Sequence, residues 1–220
     1  MRVQTGIPGL DSLMEGGLEE GSITLVSGKT GTCKSIFSTQ FIYNGAEKYK
    51  DKGLYITTGE TIENVRKQAK KFGWDLDTLE KKNMIKMIEI EPFDVETLMD
   101  RIMNNVESLK ARRIVIDSVS MFELYIHEPF KIRKFLYKIL QRLRDMNKIV
   151  VVTSEILEDT KSLSRSGVIE FMVDSIIVLQ YLGMTKYNRS LSIRKMRMTN
   201  HSTDIHPLII GPTGIHVRTV

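Results

Sequence analysis

Cysteine, proline and tryptophan are scarce: one, five and one in 220 residues. A single cysteine, Cys33, excludes an intrachain disulfide and fits a reducing, cytoplasmic setting. No stretch reaches the ~18 consecutive apolar residues of a membrane helix, so no membrane partner is expected. Residues 1–30 lack a basic start, a long apolar run and a small-residue cleavage site, so they do not read as a signal peptide. No histidine–cysteine cluster has zinc spacing. The four histidines, at 127, 201, 206 and 216, read as surface or interface residues. Low-complexity runs, linkers and repeats are absent.

Hydrophobic residues make up 41% and charged residues 27%, the balance of a folded domain. At this length the expectation is one domain over residues 1–220. Thirty-two basic against 27 acidic residues leave a net charge of +5. That surplus permits a nucleotide, nucleic-acid or acidic-protein partner, and it also fits an ordinary solvated surface of mixed charge.

Strand and helix patterns alternate over the first 155 residues. Apolar strands are predicted at 22–27, 53–58, 84–90, 113–117 and 149–153, and helices at 34–49, 61–72, 94–109 and 130–146. Such alternation predicts a parallel sheet covered by helices on both faces. From Asp174 the pattern becomes a meander, with strands at 175–181, 191–199, 206–210 and 215–218, which predicts an antiparallel extension of that sheet.

Residues 28–35 read Gly-Lys-Thr-Gly-Thr-Cys-Lys-Ser, between a strand and a helix. This fits the phosphate-binding pattern G-x-x-x-x-G-K-[ST] except at Cys33, where glycine is usual. In that context backbone N–H groups and a helix N-terminus can face phosphate oxygens. Lys34 is expected to reach the β- and γ-phosphates and the Ser35 hydroxyl to ligand Mg²⁺. The residues expected to bind nucleotide are Thr30, Gly31, Thr32, Cys33, Lys34, Ser35 and Ile36. Cys33 is expected at positive φ, at a cost of roughly 1–2 kcal/mol. It reads either as a tolerated small residue or as a thiol whose pKa Lys34 and the helix terminus lower. Asp117, closing the strand Arg113-Ile-Val-Ile-Asp117, is the second expected magnesium ligand.

Together these motifs resemble those of KaiC-like and RadA-like ATPases. Thr5-Gly-Ile-Pro-Gly-Leu-Asp11, the phosphate loop, Tyr55-Ile-Thr-Thr-Gly-Glu-Thr61, Phe72-Gly-Trp-Asp-Leu76, Ile116-Asp-Ser118, Thr153-Ser-Glu155 and Lys195-Met-Arg197 follow in the family's order across nearly the whole chain. The resemblance implies a RecA-type P-loop NTPase core, ATP and Mg²⁺ as cofactors, and a homo-oligomer such as a hexameric ring or a filament. It implies that Lys195 and Arg197 reach a neighbouring subunit's γ-phosphate, with His201 at the same interface. Side-chain alternation places Lys195, Arg197 and Thr199 on one strand face.

One departure concerns hydrolysis. Where the family has two glutamates after the second strand, this chain has Gly59-Glu60, so the position of the usual catalytic base is glycine. Glu60 either acts through a water or only shapes the site. Three functions follow: a slow regulatory or assembly ATPase, a nucleotide sensor that switches protein partners without useful hydrolysis, or a recombinase paralogue binding single-stranded DNA. The third leans on the loop Leu157–Gly167, with Lys161 and Arg165 but no aromatic platform.

Overall fold

The computed structural model describes residues 1–91, 95–126, 128–158, 160, 162–183 and 188–219. His127, Lys161 and Asp94, which figure in the sequence reading, lie outside the described residues. Among the described residues, a main sheet of nine strands has the order β11-β10-β9-β8-β3-β7-β6-β4-β5. Its strands are β3 (Ile23–Gly28), β4 (Gly53–Thr57), β5 (Ile85–Glu89), β6 (Arg113–Asp117), β7 (Ile149–Glu155), β8 (Ser175–Tyr181), β9 (Arg189–Met196), β10 (Ile205–Gly211) and β11 (Gly214–Val217). From β5 to β8 neighbouring strands pair in parallel; β9, β10 and β11 add on antiparallel, as the sequence pattern predicted.

The helices are α1 (Lys34–Tyr49), α2 (Ile62–Lys71), α3 (Leu76–Lys81), α4 (Val95–Leu109), α5 (Ser120–Tyr125) and α6 (Pro129–Asp145). They cover both faces because the central strands are apolar on both. Val26, Val115, Val151 and Ile177 pack with Phe37 and Phe41 of α1 in one core. Their sequence neighbours Leu25, Ile116, Val152 and Val178 point the other way, into a second core with Ile102 of α4 and Leu136 of α6. Local caps set the helix ends. Thr61 Oγ1 accepts the Asn64 N–H at 3.3 Å and opens α2, and Gly73, at φ 75°, follows its end.

Three features escaped the sequence pattern. The two-residue strands β1 (Arg2–Val3) and β2 (Leu18–Glu19) form their own small pairing, and α3 and α5 are too short to show a period. Strand β9 also ends at Met196, not at Thr199. A bulge between Ile176 and Ile177 shifts the β8–β9 register, and Met198 turns at φ 54°. Thr199 is therefore off the strand, and its hydroxyl accepts from Arg2 Nη1 at 2.7 Å.

Arg113, at the start of β6, is fully buried and ties three segments together. Its guanidinium pairs with Asp51 at 2.8 Å, donates to the Gln4 carbonyl at 2.9 Å and lies 4.8 Å from the Phe41 ring centroid. Removing one partner of a buried pair strands the other charge, so Asp51→Ala is expected to cost about 3–5 kcal/mol. Disrupting the exposed Lys67–Glu63 pair should leave stability essentially unchanged. Urea denaturation of both variants measures the contrast.

Candidate functional site

Parallel pairing brings several strand ends to one edge. Gly28 lies opposite Glu155 on β7, and Thr57 opposite Asp117 on β6. An open cavity of about 500 Å³ lies at this edge, lined among others by Lys34, Ser35, Glu60, Asp117, Glu155 and Arg189. Thr30, Gly31, Cys33 and Ile36 also line it, so six of the seven expected nucleotide-binding residues converge. Thr32 is the exception: it is buried, and its hydroxyl donates to the Lys29 carbonyl at 2.8 Å.

The bend between β3 and α1 needs glycine twice. A Cβ on Gly28 would overlap the Leu179 carbonyl and the Thr32 hydroxyl. Gly31 has φ 79°, and a Cβ there would meet the Tyr181 hydroxyl at 2.6 Å. Cys33 takes the expected left-handed conformation, φ 80°. Its thiol, however, is not activated. Burial raises its pKa and outweighs the opposing influence of Arg189 and Lys34, which corrects the lowered-thiol reading. Lys34 Nζ is folded back onto the loop, donating to the Gly28 carbonyl at 2.8 Å and the Lys29 carbonyl at 3.0 Å. Burial lowers its pKa, while Glu155 and Asp117 act the other way.

Two hydroxyls orient Asp117. Tyr55 Oη donates to its Oδ2 at 2.7 Å, and Thr153 Oγ1 donates to its Oδ1. Glu60 is half-buried beside it; burial first and Asp117 second raise its carboxyl pKa. Gly59 has space for a side chain, since a Cβ would meet Met121 Cγ at 3.4 Å, an ordinary contact.

Several residues at the cavity were not picked out from the sequence. Arg189, at the start of β9, lies over the Tyr181 ring at 5.0 Å, and its Nε donates to the Gly31 carbonyl at 3.3 Å. Tyr181 Oη donates to the same carbonyl at 2.8 Å. Their sequence separation of 150 residues or more hid them. Glu155, quoted from the sequence only within the motif Thr153-Ser-Glu155, could have been assigned to the site, because it ends an apolar strand as Asp117 does.

Lys195 and Arg197 are not at this cavity. Lys195 pairs with Ile176, near the start of β8, whereas the phosphate loop lies beside that strand's other end. Lys195 Nζ donates to the Val173 carbonyl at 2.6 Å, and Arg197 pairs with Asp174 at 3.3 Å. His201 Nδ1 lies 2.9 Å from the Ser202 carbonyl oxygen and lines a separate groove with Arg194. His206 is buried within its own chain against Ser202, contrary to the reading as a surface or interface residue. Arg165 turns back to the protein: its guanidinium lies 3.8 Å from the Glu155 carboxylate, and its backbone N–H donates to Ser154 Oγ at 3.2 Å.

The donors suit a nucleotide-bound magnesium better than a metal caged by protein. Among the described residues no three His, Cys, Asp or Glu side chains cluster as ligands. One hydroxyl, Ser35, and one carboxylate, Asp117, leave positions for phosphate oxygens and water, as Mg²⁺ prefers.

A mostly parallel sheet with a phosphate loop after its central strand and a carboxylate two strands away defines a P-loop ATPase of the RecA class. Residues 3–219 match the family described as ATPase: KaiC, and the chain belongs to that family. It is 34% identical to the circadian clock oscillator protein KaiC of Parathermosynechococcus lividus, over 97% of this chain and 42% of that protein. With KaiC of Synechococcus elongatus the identity is also 34%, over 98% and 44%. The chain thus spans less than half the length of these relatives. The crystal structure of a KaiC-like protein from the archaeon Pyrococcus horikoshii superposes with a TM-score of 0.92 at 39% identity, covering 100% of this chain and 99% of that one. Among the described residues no helix is long and apolar enough to cross a membrane.

Glu60 generates a pH-dependent prediction. Its folded-state pKa is raised above the ordinary 4.5, so the ionised carboxylate opposes folding. The opposition is complete above the folded pKa and absent below about 4.5. Glu60→Gln should therefore raise the melting temperature of the nucleotide-free protein at pH 7–8, and the gain should vanish below that value. A gain that persists in acid would refute the assignment.

Proposed function

We propose that residues 1–220 act as one ATPase domain that binds MgATP and hydrolyses it slowly, as a cytoplasmic regulatory or assembly ATPase working in a homo-oligomer. The observation that carries this reading is the convergence of Lys34, Ser35, Glu60 and Asp117 on one open cavity. In this proposal the loop 30–36 holds the phosphates through its amides and Lys34, which leaves its carbonyl partners to meet them. Ser35 and Asp117 hold Mg²⁺, which offsets charge on the phosphate oxygens. Glu60 orients water. Lys195 and Arg197, at the opposite sheet edge, supply positive charge to a neighbour's nucleotide, so each site is complete only between subunits.

Two measurements test this reading. Lys34→Ala should lose ATP binding, and unchanged affinity by calorimetry would refute the loop assignment. Specific ATPase activity should rise with protein concentration across the assembly range. A flat profile would refute the contribution in trans.

The second reading is a nucleotide sensor with little hydrolysis. Gly59 favours it, leaving Glu60, with its raised pKa, as the nearest substitute for the usual base. Since Gly59 has room for a side chain and Cys33 occupies a conformation natural to glycine, the double change Gly59→Glu and Cys33→Gly should fold and raise turnover at least ~10-fold, toward the gain a positioned base supplies. Phosphate release per subunit measures it; no gain would mean that these positions do not limit hydrolysis.

A further inference from the structure

The net charge of the chain is concentrated on one helix. Pro129–Asp145 carries six basic residues, Lys131, Arg133, Lys134, Lys138, Arg142 and Arg144, against Asp145. Its surplus of five equals that of all 220 residues, so the remainder is balanced. Lys131 is paired with Glu128 and Arg144 with Asp174. Among the described residues, Arg133, Lys134, Lys138 and Arg142 have no carboxylate within ion-pair distance.

The inner face of α6 is buried through Leu136, Ile139, Leu140 and Leu143. The outer face has two rows. Lys131, Lys134, Lys138 and Arg142 follow one another at steps of three, four and four residues. That is a line of cations about 5–6 Å apart at 1.5 Å rise per residue. Beside it, two turns apart, stand Phe130 at 75% exposure and Tyr137 at 57%. A shallow groove flanks Tyr137 on the side away from the cation line. Its rim includes Arg133 and Phe171, and Phe171 is 73% exposed. Tyr137 and Phe171 line the same groove, and clustered exposed rings mark interaction sites.

We propose that this face of α6 binds a single strand of nucleic acid, with phosphates along Lys134, Lys138 and Arg142 and bases stacked on Phe130 and Tyr137. Evenly stepped cations match a polymer whose charge repeats along a line, and the adjacent rings distinguish a nucleic acid from an acidic helix, which has no bases to stack. Rings next to the line supply the stacking surface that single strands use and that the loop 157–167 lacks. The site lies apart from the phosphate-loop cavity, and the inference does not rest on the nucleotide reading; Arg197, proposed above to reach a neighbour, also lines the flanking groove but is not among the residues that hold the strand.

The test is fluorescence anisotropy of a labelled oligothymidylate of about 20 nucleotides, long enough for one site, with the full chain. Binding at low salt that weakens as salt rises is expected. The triple variant Lys134→Glu, Lys138→Glu, Arg142→Glu should bind at least ~10-fold more weakly and flatten the salt slope by about 2, near 0.7 for each lost phosphate contact. Tyr137→Ala should lose about fivefold or more with the slope unchanged, the signature of stacking rather than charge. Arg165→Glu should have no effect. All these side chains are solvent-facing or at loop positions, and circular dichroism verifies the fold of each variant. Three outcomes would overturn the proposal: no binding at low salt, equal binding by the folded triple variant, or poly-glutamate or phosphatidylserine vesicles binding as tightly as the oligonucleotide. The last would reassign the face to an acidic protein or a lipid surface.

Discussion

Parallel hydrogen bonding between β3, β7, β6 and β4 is the constraint from which the site follows. In a parallel sheet the strands run the same way and stop at the same edge. Residues far apart in the chain, Gly28, Thr57, Asp117 and Glu155, then become neighbours across the strand ends. Strand register sets where these backbones sit, and hydroxyls from adjacent strands set where the carboxylate points. Tyr55 on β4 and Thr153 on β7 hold Asp117 from either side. A slip of one residue would turn Asp117 into the opposite core.

The phosphate loop shows the same economy of parts. Its glycines are needed because Leu179, Thr32 and Tyr181 already occupy the space a Cβ would take. Lys34 donates to two loop carbonyls and so ties the bend together from within. Cys33 keeps the backbone conformation that glycine adopts without strain, so the departure from the usual motif changes the energy of the loop more than its shape. The buried thiol is a packing group here. Desolvation outweighs the two nearby cations and raises its pKa.

Charge is distributed unequally over the molecule. Around the cavity, carboxylates and cations face one another, with Lys34 near Asp117 and Glu155. At the other end of the sheet Lys195 is held by backbone carbonyls and Arg197 by Asp174. On α6 the cations are largely uncompensated. These regions have different electrostatic character because each strand or helix brings its polar residues to the surface its neighbours leave open.

The sequence by itself determined the local pieces: buried strands, amphipathic helices, the Thr61 cap and the glycine-bearing bend before Lys34. It did so because period, capping and φ preference are properties of short segments. It also carried the KaiC family's motifs in order, enough to read the fold class and the magnesium ligands proposed at Ser35 and Asp117. The tertiary structure alone decided that Arg189 and Tyr181 reach back over Gly31, that Arg113 bridges Asp51 and Gln4, and that Lys195 and Arg197 lie far from their own chain's cavity. It also decided that β9 stops before Thr199 and that Thr32 turns inward. These outcomes depend on strand order, register and a bulge, which arise from contacts between segments many residues apart and leave no trace in any one of them.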